Sequence, residues 1–249
     1  MTRNPDERLV ICLPTYNEQE NIEALVKAIH GVVPRAMLLI VDDASPDGTG
    51  QTADRLAGAD SRIVVLHRTG KDGLGRAYGE GFRYALDRLQ ATVIVQMDAD
   101  FSHPPAKVPE LINLLDEFDL VIGSRYVPGG GTARWSLLRR LISRGGSLYA
   151  RMLLGVPIHD LTSGFKAWRG ELLAQVIAEP ITAGGYVFQV EASFRATRLG
   201  ARIRELPFVF ADRELGRSKM SPAIAFEASW RLAVLALAAR RRKAGKRSG

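Results

Sequence analysis

The first two-thirds of this 249-residue chain alternate short, continuous apolar runs with longer amphipathic segments. The runs are rich in β-branched residues and have the length of buried strands; they cover residues 9–13, 37–41, 63–67, 92–97 and 120–124. Strands that are apolar on both faces and are separated by helices belong to parallel sheets covered by helices on both sides. We therefore predict a doubly wound α/β fold with a mostly parallel sheet.

The alternation fades after residue 130, and the remaining segments are assigned individually. Helices are predicted over 147–154, 170–178 and 188–199, a loop over 160–168 and an edge strand over 201–210. Residues 221–239 have the pattern of an amphipathic helix, and a basic tail follows it. The predicted organisation is one α/β domain over residues 1–220 with an appendage over 221–249.

The charge and the cysteine count exclude several classes of protein. The net charge is +7, but residues 240–249 carry six basic groups and no acid, so the body is nearly neutral and the excess positive charge lies in the tail. Cys12 is the single cysteine and cannot form an internal disulfide. The longest stretch without a charged residue, 180–190, is shorter than the roughly 20 residues of a membrane span. The first residues lack the apolar core of a signal peptide, so we expect a cytoplasmic protein.

Charged and polar residues follow four of the predicted strands directly. They are Pro14 to Glu18 after the first strand, Asp42-Asp43 after the second, Asp98 to Asp100 after the fourth and Arg125 after the fifth. In doubly wound sheets, ligands bind outside the carboxyl ends of the strands. The sequence therefore predicts a binding site at this edge of the sheet.

Asp98-Ala99-Asp100 indicates a metal site. Side chains alternate along a strand, so two acids at this spacing point the same way and repel each other unless a cation lies between them. Oxygen ligands suit Mg²⁺ or Mn²⁺, which take their remaining ligands from water and from substrate phosphates. The alternative is that one of the acids caps the helix announced by Pro104-Pro105.

Asp42-Asp43 ends the second strand, where doubly wound folds contact a nucleoside. A neighbouring acid, Asp47, is predicted to cap a helix over 48–57. The segment GLGRAYG (73–79) superficially resembles a dinucleotide-binding loop, but it follows the third strand and not the first. A nicotinamide cofactor is therefore disfavoured.

The last group of candidate residues is cationic, and its guanidinium groups suit bidentate contact with phosphate oxygens. It comprises Arg125, Arg139, Arg140, Arg213 and Lys219. His103 and His159 have no paired spacing, so hydrogen bonding is favoured over metal ligation for both.

These motifs together resemble those of dolichol-phosphate and polyprenol-phosphate mannose synthases, inverting family-2 glycosyltransferases with a GT-A fold. The resemblance covers roughly residues 9–220 and is carried by PTYNE, VDDASPDGT, KDGLGRA, DADFSHPP, GSRY, DLTSGFK and RELGRSKM. It implies that residues 1–220 form a catalytic domain. It also implies transfer of mannose from GDP-mannose to a polyprenyl monophosphate, with inversion, for use as a lipid-linked mannose donor.

The resemblance also implies roles for individual residues. Nucleotide-sugar binding falls to Pro14, Tyr16, Glu18, Val41, Asp43, Asp98, Ala99, Asp100, Arg213 and Lys219. Asp98, Asp100 and Arg125 are the implied catalytic residues, and the acceptor phosphate is expected at Arg125, Arg139 and Ser143. The implied ligands of Mg²⁺ or Mn²⁺ are Asp98, Asp100 and Ser102, where Ser102 replaces a glutamine common in the family.

A polyprenyl acceptor implies that the protein acts at a membrane surface. We expect a peripheral protein on the cytoplasmic face of the membrane, with residues 221–249 either anchoring it or leaving the tail free. A membrane-embedded partner subunit or domain is compatible with this role. The alternatives are the same chemistry with another donor of the UDP-glucose type, and a non-catalytic scaffold recruited to the membrane. Nucleic-acid binding is supported only by the tail and is not expected.

Overall fold

The computed structural model describes residues 7–179, 181 and 185–211. Within these ranges the chain builds one seven-stranded sheet, with helices on both faces, and a separate two-stranded pair. The strands are β1 (Leu9–Thr15), β2 (Met37–Asp42), β3 (Ile63–His67), β4 (Val93–Gln96), β5 (Leu120–Ser124), β6 (Gly131–Thr132), β7 (Lys166–Arg169), β8 (Ile203–Pro207) and β9 (Val209–Phe210). The helices are α1 (Gln19–Val32), α2 (Thr49–Ala59), α3 (Leu74–Asp87), α4 (Val108–Asn113), α5 (Leu137–Leu154), α6 (Gly170–Val176) and α7 (Gly185–Arg198).

The large sheet has the order β3-β2-β1-β4-β7-β5-β8 and is mostly parallel. All five strands predicted from the apolar runs are present, and β8 is the predicted edge strand, parallel to β5. Their buried side chains face two apolar layers, one on each side of the sheet. The predicted doubly wound α/β fold is therefore confirmed.

The prediction of a loop over residues 160–168 was wrong for its last part. Residues 166–169 form β7, which lies between β4 and β5 and runs antiparallel to both. The strand is only four residues long and begins with a lysine, so no apolar run announces it. Pairing on both sides with β4 and β5, and not intrinsic propensity, makes this segment a strand.

The entry into α1 is not capped by Asn17, although asparagine is a favoured N-cap residue. Asn17 has φ of 60° and makes no side-chain capping bond. The first amides of the helix are instead satisfied by the loop after β2, since Asp47 accepts from the amide of Gln19 at 3.2 Å and Thr49 accepts from that of Glu18 at 2.9 Å. Asp47 also accepts from the amide of Thr49 at 3.0 Å and so supports the start of α2, although the N-cap residue is Gly48 and not the predicted Asp47. The loops after β1 and β2 thereby hold each other in place.

Helix α3 lies unusually close to β1 and β2 because Gly81 has no side chain. A Cβ at Gly81 would lie 2.6 Å from Cys12 Sγ and 2.9 Å from Val41 Cγ2. The close approach carries the first turns of α3 to the carboxyl edge of the sheet, where Tyr78 reaches the residues that follow β4.

Helix α5 starts earlier than the predicted helix over 147–154. It begins at Leu137, and the hydroxyl of Ser136 accepts from the amide of Arg139 as an N-cap. None of the described helices is long and apolar enough to cross a membrane. Several predictions fall outside the described residues and stay predictions. They concern the helix over 221–239, the basic tail, the domain boundary at residue 220, Arg213 and Lys219.

Candidate active site

Most of the described candidate residues lie at the carboxyl edge of the parallel strands, as the topology requires. Pro14 and Val41 are buried at the ends of β1 and β2 and face each other in the strand register. Asp98, Ala99 and Asp100 follow β4, and Arg125 follows β5. This edge therefore gathers an acidic centre between an apolar-lined end and a cationic end.

The acidic centre is a turn and not the end of a strand. Strand β4 ends at Gln96, so the alternation argument for Asp98 and Asp100 was wrong in its geometry. The turn is closed by two bonds, one from the amide of Asp98 to His103 Nδ1 at 2.9 Å and one from the amide of Ser102 to Asp100 Oδ1 at 3.0 Å. The following helical turn has no side-chain cap, so neither acid plays the capping role that was the alternative.

Two buried rings border these acids. The Tyr78 hydroxyl donates to Asp98 Oδ1 at 2.9 Å, and burial together with the carboxylates raises the pKa of Tyr78, which keeps the phenol protonated as a donor. Burial lowers the pKa of His103 even though both acids oppose this effect, so the ring stays neutral and its Nδ1 accepts from the backbone. His103 therefore shapes the turn, as the hydrogen-bonding interpretation predicted.

The donor chemistry of this turn fits a hard divalent cation. It presents carboxylate oxygens of Asp98 and Asp100, and Ser102 Oγ is buried without a hydrogen-bond partner. No group of three acidic, histidine or cysteine side chains that could hold a metal occurs among the described residues. Carboxylate and hydroxyl oxygens suit Mg²⁺ or Mn²⁺, which keep water and take further oxygens from a substrate diphosphate.

At the opposite end of this edge from Arg125, Asp43 forms an ion pair with Arg68 in which both side chains are buried. Arg68, which no sequence motif singled out, contacts Asp43 and forks onto both Glu80 oxygens at 3.0 Å. Burial raises the pKa of Asp43, an effect that Arg68 partly offsets, and Arg68 lowers the pKa of Glu80. Asp42 instead accepts from Thr15 and Ser45 and thus holds the loop.

Tyr16 and Glu18 lie on the loop between β1 and α1. The ammonium of Lys71 lies 3.4 Å from the centre of the Tyr16 ring, and Glu18 accepts from the side-chain amide of Asn21 at 2.9 Å. Lys71 belongs to the KDGLGRA segment and Tyr16 to the PTYNE segment. Their contact therefore brings together two segments that are distant in the chain.

The cationic end contains a cavity of about 450 Å³. Its polar lining consists mainly of three arginines, Arg125, Arg140 and Arg144, and of the glycine-rich segment 129–131. Gly130 passes so close to β5 that a Cβ would lie 2.5 Å from the carbonyl oxygen of Ser124. Because three guanidinium groups line it, this open cavity is suited to a phosphate group.

The predicted acceptor residues Arg139 and Ser143 border the same region. Ser143 Oγ lies 2.5 Å from the Tyr126 hydroxyl, and the Arg139 guanidinium lies 4.0 Å above the Trp135 ring. Arg125 lies 5.1 Å from the Tyr126 ring and 5.7 Å from that of Trp135. The structure thus brings the three predicted residues together around two aromatic rings, with Arg140 and Arg144 lining the cavity itself.

The outer face of α5 is apolar and exposed. It carries Leu137, Leu138, Leu141, Ile142, Leu148, Tyr149 and Met152, several of them more than half exposed. At helical spacing these positions share one face, and Arg140, Arg144 and Arg151 lie along one edge of it. The sequence shows that this segment is rich in basic and apolar residues. It does not show the exposed apolar face, which can be recognised only once the helix is known to start at Leu137.

A wholly buried lysine lies beneath the site. Lys166 Nζ on β7 donates to the backbone and side-chain oxygens of Gln189 at 2.9 and 3.0 Å, and Gln96 donates to the same side-chain oxygen at 2.7 Å. Burial lowers the pKa of Lys166 from 10.5 to about 7, with Asp160 acting in the opposite direction.

This pKa predicts a pH-dependent stability. Between about pH 7 and pH 10 the unfolded chain binds a proton at Lys166 that the folded protein releases, so folding becomes more favourable as the pH rises. Relative to Lys166→Met, the wild type should gain at most about 1.4 kcal/mol of unfolding free energy per pH unit in this range. Urea unfolding of both proteins at about pH 6 and about pH 9 measures this. A difference between them that does not change with pH contradicts the prediction.

Known families and proteins resemble this chain closely. Residues 10–177 match the model of glycosyl transferase family 2. The chain is 48% identical over 233 residues to the undecaprenyl-phosphate mannosyltransferase of Micrococcus luteus, with 94% of this chain and 96% of that protein covered. It is 45% identical over 234 residues to the polyprenol monophosphomannose synthase of Mycolicibacterium smegmatis, with 93% and 88% covered.

Solved structures resemble it in fold. Glucosyl-3-phosphoglycerate synthase from Mycobacterium tuberculosis, in complex with Mn²⁺, uridine diphosphate and glucosyl-3-phosphoglycerate, aligns with a TM-score of 0.64 at 23% identity. The alignment covers 94% of this chain and 80% of that one. The shared feature is the sheet with its flanking helices.

Proposed function

The chain belongs to glycosyl transferase family 2, and we propose that it transfers mannose from GDP-mannose to a polyprenyl monophosphate with inversion. The products are polyprenyl-phosphate-mannose, a lipid-linked mannose donor, and GDP. Two relatives that are 48% and 45% identical over nearly the whole chain are named for polyprenyl-phosphate mannosyl transfer, and this supports the acceptor and the sugar.

The observation that carries the proposal is the order of groups along the sheet edge. Pro14, Val41 and Asp43 lie on one side of the acidic turn along this edge, and the arginine-lined cavity lies on its other side. Donor diphosphate and acceptor phosphate would thus meet between an acidic turn that holds a cation and a cluster of guanidinium groups. The turn with its cation and the guanidinium cluster would both suit anions, which is what a reaction between two phosphate-bearing substrates requires.

Metal binding is assigned to Asp98, Asp100 and Ser102, whose oxygens fit Mg²⁺ or Mn²⁺. When bound, the cation neutralises charge that develops on the leaving diphosphate. Tyr78 orients Asp98 through its hydroxyl, and the neutral His103 holds the backbone of the turn. The protein's own contribution is to keep the two acids in place before substrate arrives.

The chemical step needs no strong general base. A phosphomonoester has a second pKa near 6, so the acceptor is already a dianionic nucleophile at neutral pH. An acceptor oxygen forms the bond to the anomeric carbon, and the bond from that carbon to the diphosphate breaks with its electron pair leaving on GDP. Attack from the face opposite the leaving group inverts the configuration. Arg125 and its neighbours hold the two anions at reacting distance.

The apolar face of α5 is the proposed contact with the bilayer. Seven exposed apolar side chains lie on this helix beside a row of arginines, an arrangement typical of helices that lie in the membrane interface. Arg140 and Arg144 belong both to that row and to the cavity. A lipid phosphate in the cavity would therefore have its chain beside a surface already facing the membrane.

The proposed location is the cytoplasmic face of the membrane, where anionic lipids attract basic helices. Residues 221–249 would add a second attachment there, and a membrane-embedded partner would add a third.

A donor and acceptor panel tests the function. The protein is incubated with Mn²⁺, farnesyl phosphate and one labelled donor at a time: GDP-mannose, UDP-glucose or UDP-galactose. Labelled, acid-labile lipid product is expected from GDP-mannose alone. Product from UDP-glucose would reassign the donor, and no product from any donor would favour a non-catalytic scaffold.

A further inference from the structure

Arg125 is held rigidly by one buried acid. Asp160, fully buried, accepts from the backbone amide of Arg125 at 3.0 Å, from its Nε at 2.7 Å and from its Nη2 at 2.7 Å. Thr162 Oγ1 accepts a second bond from Nη2 at 2.7 Å and itself donates to Asp160 at 3.2 Å. The bidentate pair and the backbone bond together leave the guanidinium a single orientation.

Asp160 is itself fixed by the edge strand. Glu205 on β8 accepts from the backbone amides of Asp160 and His159, both at 2.9 Å, and from His159 Nδ1 at 2.7 Å. Because β8 pairs with β5, Glu205 lies on the strand next to the one that ends just before Arg125. The position of Arg125 is therefore set by the sheet and not by the loop alone.

The consequence concerns the cavity, which Arg125 lines. Three aromatic rings lie within 5.1 to 5.7 Å of its guanidinium, those of Tyr126, Trp135 and Phe210. Without Asp160 the Arg125 guanidinium would lose its buried counter-charge. It could then stack on one of these rings and would no longer face the cavity.

We propose that Asp160 is a positioning residue that presents Arg125 to the phosphate of the lipid acceptor. This inference rests on the proposed function, because it takes the cavity as the acceptor site. Asp160 acts through Arg125 and not as a base, since its two oxygens already accept four hydrogen bonds from Arg125 and Thr162.

The chain offers a matched control at the opposite end of the same strands. Asp119 accepts from the backbone amide of Arg202 at 2.8 Å and takes its Nε and Nη2 at 3.2 and 2.9 Å. Asp160→Asn and Asp119→Asn therefore remove aspartate–arginine pairs with the same set of hydrogen bonds, of which the first is buried at the cavity and the second is exposed at the far end of the sheet. Farnesyl phosphate affinity by titration calorimetry and steady-state kinetics are measured for both and for wild type.

Asp160→Asn should weaken farnesyl phosphate binding by about tenfold, because a charge-assisted phosphate contact is lost. It should lower kcat/KM for the lipid by about 10²-fold, the size of effect that a misplacement of about 1 Å produces. KM for GDP-mannose and the Asp119→Asn kinetics should stay near wild type. Adding Asp160→Asn to Arg125→Lys should cost little more than Arg125→Lys alone, because both changes act on one guanidinium.

Equal farnesyl phosphate affinity in Asp160→Asn and Asp119→Asn overturns the inference, as do multiplicative effects in the double variant. If Asp160→Asn does not fold, Thr162→Val takes its place: it removes one neutral contact to Arg125, and unchanged affinity is the contrary result. Wild-type protein that binds farnesyl phosphate but does not turn over GDP-mannose contradicts the proposed donor and leaves the affinity comparison intact. Wild-type protein that does not bind farnesyl phosphate overturns the inference itself.

Discussion

Asp100→Asn is expected to lower the turnover of GDP-mannose by about 10²–10³-fold, the usual cost of removing one group that stabilises developing charge. The amide keeps the size of the side chain and can still accept from the amide of Ser102, so the turn should survive. The lost negative charge weakens the hold on the divalent cation. Mn²⁺ binding followed by electron paramagnetic resonance should therefore weaken together with turnover.

Asp87→Asn is the control, because Asp87 is exposed at the end of α3 and far from the turn. It should keep wild-type turnover and Mn²⁺ affinity. If Asp100→Asn matched Asp87→Asn with Mg²⁺ or Mn²⁺ supplied, the assignment of the metal to this turn would be wrong.

Replacing Leu138 and Leu141 by glutamate should detach the protein from lipid vesicles. Both side chains are about two-thirds exposed on the apolar face of α5, and burying a leucine contributes about 1.5–3 kcal/mol. The double substitution should therefore lower the partition coefficient by about 10²-fold or more, and the added charges are repelled by anionic lipid. Flotation with vesicles of phosphatidylcholine and phosphatidylglycerol measures it.

The matched control replaces two exposed apolar residues elsewhere, Val32→Glu and Leu199→Glu. This variant should float like wild type. The Leu138/Leu141 variant should keep the thermal stability of the parent because its altered side chains are about two-thirds exposed. Unchanged flotation of the Leu138/Leu141 variant would remove α5 as the membrane contact. A loss of flotation only on truncation of residues 221–249 would move the contact to that segment.

Much of the fold could be predicted because buried parallel strands carry an unmistakable signal. Runs such as MLLIV are apolar on both faces, and their order along the chain also decides which residues follow a strand end. The rule that ligands bind at the carboxyl ends of parallel strands then suffices to assign Pro14, Asp43, Asp98 and Arg125 to one edge. Strand β7 was not predicted, because a four-residue strand that begins with a lysine has no apolar run to identify it.

The candidate site was predicted in its residue types more fully than in its geometry. The acids after β4 were found, but the turn that carries them depends on Phe101 at a φ of 59° and on His103 bonding back to Asp98, which no spacing rule encodes. Arg68 and Asp160 were not singled out for the same reason. An arginine and its acid partner 25 or 35 residues apart show no periodicity in the sequence.

What the sequence by itself determined is the layered α/β architecture and the edge at which chemistry occurs, since both follow from local patterns of burial and from strand direction. Only the tertiary structure decided how the charges pair, namely Arg68 with Asp43 and Glu80, and Arg125 with Asp160. The physical reason is that apolar burial is periodic along the chain, whereas a buried charge is stable only beside a partner that folding brings from a distant segment.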